Sequence, residues 1–229
     1  MWIVGDRSIG RAVQCEGHER CVHWEMPMKL CVVLAGGAGR RMGGSKLQRL
    51  YRGRSLGERA LSLAAGFADH VALSVRERGQ ADGLPPVPLV FDRHDIEGPL
   101  AGVVSSLEQA ARIGAAQVLT IPCDAPHLPH DLFSRLEAAL VEFPDALAAS
   151  ASDGRHSHPP CTLWRAEAIE PVMHYAKSGR RSLKGLLIDL KARPVIWDEP
   201  NMDFFLNLNT REDLRQAGEH FASPGPCEL

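Results

Sequence analysis

A glycine-rich segment carrying three cations follows a short apolar run near the beginning of the sequence. The run Cys31-Val32-Val33-Leu34 continues into GGAGRRMGGSK, which ends at Lys46. Four consecutive apolar residues are typical of a buried strand, and the glycines after them predict a sharp turn. Glycines allow backbone N–H groups to approach a ligand closely, and Arg40, Arg41 and Lys46 would attract an anion. The segment therefore predicts a polyphosphate site, and a tight surface turn with solvated charges is the simpler alternative.

The spacing of these glycines matches neither of two common phosphate-binding loops. A Walker loop requires a lysine followed by serine or threonine, whereas here Ser45 precedes Lys46. A dinucleotide fingerprint requires a third glycine where this chain has Met42, and no acidic residue ends a second strand about twenty residues later. What remains is a strand-to-helix turn whose cations point toward bound phosphates.

Two aspartates follow other apolar runs. Asp124 comes after QVLTIP (117–122), in a turn stiffened by prolines, and Asp92 ends VPLVFD (87–92). A carboxylate held opposite a phosphate loop is well placed to bind Mg²⁺. A turn or helix-capping role is the ordinary alternative for either aspartate. Both aspartates are expected at the same edge of the sheet as the glycine-rich loop, which favours contact with a metal ion or a nucleotide.

Apolar strand-like runs alternate with helical patterns along most of the chain. Strands are predicted at 31–34, 70–75, 87–92, 117–122, 146–152, 161–165, 194–198 and 204–209, and helices at 55–67, 100–114, 129–143, 166–177, 181–191 and 211–221. This alternation predicts an α/β fold of three layers, Rossmann-like, with a mostly parallel central sheet. Because the carboxyl ends of parallel strands share one edge, the loops 36–46, 92–99 and 122–127 should meet there.

Composition excludes several classes of protein. The chain has 229 residues, of which 45% are hydrophobic and 24% charged, as in an ordinary globular domain. A formal net charge of -2 gives no support for a nucleic-acid or membrane surface, and no apolar run reaches membrane-spanning length. Charged residues throughout the first 28 positions argue against a signal peptide, and six scattered cysteines suggest a reducing compartment. We therefore expect a cytoplasmic protein.

The domain boundaries follow from where periodicity begins and ends. Residues 1–28 lack clear periodicity and are predicted to be a leader outside the fold, followed by one domain at 29–221 and a tail at 222–229. The leader contains a set of residues that zinc could accept, although a short segment without a second ligand pair makes that site a weak prediction. These residues are Cys15, His18, Cys21 and His23.

Five segments occur together in the order typical of one enzyme family. They are LAGGAGRRMGGSK, EGPLAGV, PCDAPHLP, HPPCTLW and FLNLNTREDL, within about 29–216. The chain thereby resembles the molybdenum cofactor guanylyltransferases, which are nucleotidyltransferases with a Rossmann-like fold. The resemblance implies transfer of GMP from GTP to molybdenum-bearing molybdopterin, release of pyrophosphate and a requirement for Mg²⁺. Molybdoenzymes or their chaperones are further candidate partners.

The resemblance also implies roles for individual residues. Those matching nucleotide, metal or acceptor contacts are Leu34, Ala35, Gly36, Gly37, Lys46, Ser74, Asp92, Asp124, Asn207 and Asn209. Asp124 corresponds to the magnesium ligand, and the two asparagines lie in an N-x-N-T motif expected near the acceptor. Lys46 and one of Arg40 and Arg41, with Arg41 preferred, would neutralise charge on the leaving pyrophosphate. Because the attacking phosphate is already an anion, no general base is required.

This chain departs from the family pattern at two positions. Ser45 stands where aspartate is common before the lysine, and Ser74 stands where a nucleotide-binding asparagine is usual. Guanine selectivity is therefore less firmly implied than phosphate binding, and a cytidylyltransferase or a sugar-phosphate nucleotidyltransferase is the alternative enzyme. LAGG and GPLAG favour the guanylyl branch. A non-catalytic nucleotide- or cofactor-binding carrier is disfavoured because Lys46 and Asp124 are both present.

Two other polar segments could approach the acceptor. His156 and His158 lie in GRHSHPPC, where the residues alone fit turn histidines better than ligand contacts. Arg180, Arg181 and Lys184 lie at the start of a predicted helix and are opposite in sign to a pterin phosphate. A solvated basic face explains that cluster as well.

Overall fold

The computed structural model describes residues 12–13, 23–24, 28–36, 46–198, 203–210 and 212–215. Its main sheet has seven strands: β1 (Lys29–Leu34), β2 (His70–Val75), β3 (Leu89–Phe91), β4 (Gln117–Pro122), β5 (Ala148–Ser152), β6 (Ser157–Arg165) and β7 (Arg193–Ile196). Their spatial order is β7-β5-β6-β4-β1-β2-β3. Among these strands only β6 is antiparallel to its neighbours, so the prediction of a mostly parallel sheet is confirmed.

Helices cover both faces of this sheet. They are α1 (Leu56–Phe67), α2 (Pro99–Ile113), α3 (Leu132–Glu142), α4 (Ile169–Lys177) and α5 (Leu183–Asp189). Apolar residues of α1 and α3 pack on one face, and those of α2, α4 and α5 pack on the other. The molecule therefore has the three layers that the sequence predicts.

The residues of β1 explain how the sheet is buried on both sides. Cys31 and Val33 contact the cluster containing α1 and α3, whereas Leu30 and Val32 contact the cluster containing α2. A continuous apolar run is what a parallel strand covered on both faces requires. Since β1 lies between β4 and β2, its carboxyl end is central to the edge where the functional loops are expected.

Two local signals place the helices next to that edge. Ser55 caps α1 by accepting a hydrogen bond from the backbone N–H of Glu58, whose carboxylate in turn accepts from the N–H of Ser55. Such a capping box fixes the first turn of a helix. Helix α2 begins with Pro99 at its first position after Gly98, which has a φ of 74°. Proline is favoured there because an N–H at the first helical position would have no partner within the helix, so its absence loses no hydrogen bond.

The predicted strand at 204–209 is wrong. The described part of this segment forms a turn, in which the N–H of Leu206 donates to the carbonyl of Asp203. Phe205 and Leu208 are buried three residues apart, a spacing that a strand exposing alternate faces cannot give. The N–H of Leu208 donates to the carbonyl of Asp124 over 2.8 Å, so the segment is bonded to the β4 loop instead of to a strand.

Several smaller elements differ from prediction or were not expected. A two-residue hairpin pairs Leu50–Tyr51 with Arg54–Ser55, and a short ladder pairs Ala12–Val13 with His23–Trp24. Strand β6 begins four residues earlier than predicted. Its register against β5 shifts between Ser157 and Thr162. Of the predicted helix at 211–221, residues 212–215 are helical and the others lie outside the described residues.

The remaining predictions about the termini stay predictions. Most of the leader and all of the tail lie outside the described residues, including Cys15, His18 and Cys21 of the proposed zinc set. None of the helices in the described part of the chain is long and apolar enough to cross a membrane.

Candidate functional site

A cleft of about 260 Å³ opens at the carboxyl edge of the sheet. Its walls include seven of the residues predicted from sequence: Leu34, Ala35, Gly36, Lys46, Ser74, Asp92 and Asp124. Gly98, Pro99 and Pro122 also line it. The described parts of the loops after β1, β3 and β4 therefore meet around one cavity, as the sequence predicts.

Lys46 lines this cleft and links two distant parts of the chain, Asp124 in the cleft and Asn209, which is exposed beside it. Its ammonium donates to Asp124 Oδ2 over 2.6 Å and to Asn209 Oδ1 over 2.8 Å. The side chains of Lys46 and Asp124 retain only 24% and 11% of their exposure, so water screens the pair incompletely. The arrangement places a cation and an anion side by side at the carboxyl ends of β1 and β4, where an anionic ligand and a metal ion could both be held.

The segment carrying Asn209 is itself held in place. The carboxylate of Asp213 accepts from the N–H groups of Asn209 and Thr210 over 2.7 and 2.8 Å, and the hydroxyl of Thr210 accepts from the N–H of Asp213. Hydrogen bonding with Thr210 and Asn209 lowers the pKa of Asp213 below its usual value. The Asn209 amide therefore meets Lys46 from a fixed backbone position.

Asp124 offers donors that fit the magnesium ion implied by the resemblance. Oδ2 accepts from Lys46, whereas Oδ1 has no hydrogen-bond partner among the described residues. The same residues contain no group of three His, Cys, Asp or Glu side chains that could hold a metal. Mg²⁺ in nucleotide sites commonly takes one or two carboxylates and completes its shell with phosphates and water. A single hard oxygen donor in this cleft fits that pattern.

Asp92 is a buried acidic residue next to Gly36. Its Oδ1 accepts a short hydrogen bond from the hydroxyl of Ser74, and its N–H donates to the carbonyl of Val75. Burial raises the pKa of the Asp92 carboxyl above 3.8, although the Ser74 hydrogen bond and the charges of Arg76 and His94 oppose the rise. This buried carboxylate would be matched by a ligand that supplies further hydrogen-bond donors.

Glycine at position 36 leaves the space that Asp92 occupies. A Cβ built on Gly36 would lie 2.6 Å from Asp92 Cγ and closer still to Oδ2. We expect Gly36→Ala to turn Asp92 away from Ser74 and to lower the free energy of unfolding by about 1–3 kcal/mol, the usual cost of overpacking. Urea unfolding measures the change. Gly66→Ala in α1, where no atom of the described residues lies within 4 Å of the new Cβ, is the control and should instead stabilise by about 0.5–1 kcal/mol. Equal effects of the two substitutions would contradict the expectation.

The raised pKa of Asp92 predicts a pH dependence of stability. Between 3.8 and its higher folded value, the folded protein binds more protons at Asp92 than the unfolded chain, so stability falls as pH rises. Asp92→Asn keeps an acceptor for Ser74 but cannot ionise. Its free energy of unfolding relative to wild type should therefore increase with pH through this window, by about 1.4 kcal/mol for each unit of pKa difference. Unfolding curves from about pH 4 to pH 8 test this, and a difference independent of pH would refute it.

The other predicted residues fall outside this cluster. Gly37, Arg40 and Arg41 lie outside the described residues, so their predicted roles stay predictions. Asn207 is exposed and does not line the cleft. His158 lies 3.1 Å from Asp153 and stacks on Phe205 with ring centroids 4.4 Å apart, a contact that explains it without a ligand.

Two of the three cations around the start of α5 are ion-paired. Arg180 contacts Asp189, and Arg181 contacts Glu97. Lys184 instead lines a groove of about 270 Å³ between α5 and strands β5 and β7. The structure thus separates these three cations, which the sequence presents as one cluster.

Sequence reasoning missed several residues around the cleft. Arg76, Gly102 and Pro160 line it as well. Gly102 is needed because a Cβ there would lie 2.8 Å from Ser74 Oγ and 3.0 Å from Leu34 Cδ2. A glycine four residues after Gly98, inside a strong helical pattern, was the available signal for such a close approach.

A tyrosine–histidine pair near the β4 loop was also not predicted. The Tyr51 hydroxyl lies 2.9 Å from His127 Nε2, and the two rings meet edge to face. Burial lowers the pKa of His127, assisted by the charges of Arg52 and Arg59. Tyr51 also packs with Leu208, so the pair connects the small hairpin to the loop that carries Asp124.

With this geometry established, comparison with known proteins identifies the family. Residues 31–193 match the family model of the MobA-like NTP transferase domain. The chain belongs to this family. The molybdenum cofactor guanylyltransferase of Acidiphilium cryptum is 34% identical over 189 residues, covering 81% of this chain and 92% of that protein. That of Bradyrhizobium sp. is 35% identical over 193 residues, covering 81% and 90%. As a member of this family the chain is a nucleotidyltransferase of molybdenum cofactor biosynthesis.

A solved structure supports the fold assignment independently. Molybdopterin-guanine dinucleotide biosynthesis protein A from Archaeoglobus fulgidus has a TM-score of 0.68 to this chain and 22% sequence identity, covering 85% of this chain and 99% of that one. At this level of identity the similarity concerns the fold. The Rossmann-like three-layer architecture is therefore that of the MobA-like transferases.

Proposed function

We propose that this nucleotidyltransferase transfers GMP from GTP to molybdenum-bearing molybdopterin, producing the molybdopterin guanine dinucleotide cofactor and pyrophosphate. The names of the related guanylyltransferases support GTP and molybdopterin as substrates. The observation that carries the proposal is the convergence of Lys46 and Asp124 in one cleft beside Gly36.

The proposed reaction is a direct displacement at phosphorus. An oxygen of the terminal phosphate of molybdopterin bonds to the α-phosphorus of GTP, and the bond from that phosphorus to the bridging oxygen of pyrophosphate breaks. The attacking phosphate is an anion at neutral pH, so the protein need not remove a proton. Catalysis in such reactions comes mainly from positioning and from neutralising charge.

Lys46 is the residue best placed to neutralise that charge. Its ammonium is held by Asp124 and Asn209, so it presents a fixed donor to phosphate oxygens entering the cleft. A preorganised cation stabilises charge that develops on the leaving pyrophosphate without first having to reorient. Arg41 is proposed to assist from the glycine-rich loop.

Asp124 is proposed to hold Mg²⁺ through its carboxylate. When bound there, the ion would screen the phosphate oxygens of the donor and stabilise their charge. The protein's own contribution is to fix the position of this carboxylate. The backbone carbonyl of Asp124 accepts a hydrogen bond from the N–H of Leu208.

The direct test is transfer from labelled nucleotides. The purified chain is incubated with Mg²⁺, molybdopterin and either GTP or CTP labelled at the α-phosphorus, and pyrophosphate and labelled product are measured. Transfer from GTP supports the proposal, and transfer from CTP alone would assign the chain to the cytidylyl reaction. Labelled product with a sugar phosphate in place of molybdopterin, or GTP binding without pyrophosphate release, would overturn it in favour of another transferase or a carrier.

A further inference from the structure

Arg76 is a cation at the cleft with no role in the chemistry above. It follows β2 directly, and it lines both the main cleft and an adjoining side pocket of about 190 Å³. Among the described residues, Asp92 is the other one that lines both cavities. The side pocket therefore continues the cleft beyond Asp92, with Arg76 at the junction.

The charge of Arg76 acts on the nearby carboxyl of Asp92, whose pKa burial raises and Arg76 lowers, but no ion pair joins the two side chains. Within the described residues the guanidinium of Arg76 forms no ion pair, and two other acidic residues near the side pocket pair with other arginines. Glu97 pairs with Arg181, and Asp95 pairs with Arg93. An exposed guanidinium with five donors at a nucleotide cleft is free to bind an anionic or carbonyl-bearing ligand.

The order of strands indicates which part of a nucleotide meets Arg76. Asp124 follows β4, and Arg76 follows β2, with β1 between them. Neighbouring strands lie about 4.8 Å apart, so the ends of β4 and β2 are separated by about 10 Å. With the reacting phosphates at Lys46 and Asp124, the ribose and base extend along the sheet edge toward β2 and β3. Arg76 is thus placed to meet the base end of the ligand.

We propose that Arg76 selects the base, by donating two hydrogen bonds from its guanidinium to O6 and N7 of guanine. The proposal rests on the proposed function, since it takes GTP as the nucleotide. The paired donors of arginine match these two acceptors in geometry. Asp92, which follows the neighbouring strand β3, supplies a carboxylate beside the same two cavities, and guanine also carries N–H donors at N1 and N2.

Other bases lack this match. Adenine places an amino donor where guanine has O6, and cytosine has no counterpart of N7. A cation at this position would therefore favour guanine over both. It would also supply base contacts at the edge where Ser74 is shorter than the asparagine usual in the family.

The test measures equilibrium binding of four nucleotides to the full chain with Mg²⁺ and no acceptor. We expect Arg76→Ala to weaken GTP and ITP by about 5- to 150-fold, because both have O6 and N7, and to leave ATP and CTP nearly unchanged. Arg76→Lys should recover little of this loss, since an ammonium lacks the paired donors. Arg78→Ala removes the same charge from an exposed residue outside both cavities and should bind as wild type does. For an analogue of GTP with carbon in place of N7, Arg76→Ala should weaken binding less than it does for GTP itself.

Each other outcome has a definite meaning. Equal weakening of all four nucleotides would place Arg76 on the phosphates or ribose and overturn the proposal, as would GTP binding that Arg76→Ala does not change. Full recovery by Arg76→Lys would reduce the role of Arg76 to its charge and likewise overturn base selection. A wild-type protein without preference for GTP would overturn the proposed function too, whereas a preference that survives Arg76→Ala overturns only the role of Arg76. Folding is monitored separately by circular dichroism.

Discussion

Asp124→Asn should reduce the rate constant of GMP transfer by about 10²- to 10³-fold, the usual effect of removing one preorganised electrostatic group. The substitution keeps the shape of the side chain but removes the negative charge that we assign to holding Mg²⁺. It also removes the charge opposite Lys46, 2.6 Å away, so the cation loses its orienting partner. Pyrophosphate release at saturating GTP and Mg²⁺ measures the effect.

The protein should remain folded after this substitution. The amide oxygen of asparagine can still accept from Lys46, and the bond from the N–H of Leu208 to the backbone carbonyl is unaffected. Asp145→Asn, at an exposed position between α3 and β5, is the matched control and should leave turnover unchanged. Titration with Mn²⁺, followed by its paramagnetic resonance signal, gives a reading that does not depend on turnover. Wild-type turnover and metal affinity in Asp124→Asn would remove the metal assignment.

Local signals in the sequence are sufficient for the elements that support the cleft. The capping pair Ser55 and Glu58, and Gly98-Pro99 before α2, act through hydrogen bonds and dihedral angles of a few adjacent residues. Such features can be recognised without knowing the rest of the fold. The apolar strands were predictable for a similar reason, because burial on both faces requires an uninterrupted apolar run.

The segment at 204–209 shows where local signals fail. Its apolar residues suit a strand, but its backbone bonds to the loop after β4. Asn209 accepts from Lys46, which lies 163 positions away in the chain. The choice of a bonding partner for such a segment is made by tertiary packing, which residue spacing does not encode.

The candidate site was partly predictable for a topological reason. Once the strands are parallel, the residues that follow them must share an edge, so Asp92, Asp124 and the glycine-rich loop could be brought together in advance. Arg76 follows a strand of the same sheet, but an arginine in that position is usually solvated and carries no distinguishing signal. Only the shape of the cavities separates it from Arg78, two residues later.

Lys46→Met should lower the rate constant of transfer about as severely as Asp124→Asn, by about 10²- to 10³-fold, because it removes the cation that we assign to neutralising the leaving pyrophosphate. Methionine retains an unbranched apolar stem, so packing around the short helical turn Lys46–Gln48 is preserved. Lys29→Met is a close control, because Lys29 also forms an ion pair, at 2.9 Å with Glu137, but at the opposite end of β1. Its turnover should match that of wild type.

The double variant shows whether Lys46 and Asp124 act as one unit. Groups that hold each other in position lose most of their joint effect when either is removed, so the second substitution should add little. We therefore expect Lys46→Met combined with Asp124→Asn to be only slightly slower than either single variant. If the two rate losses instead multiply, the residues act on separate parts of the reaction, and the 2.6 Å contact does not organise catalysis.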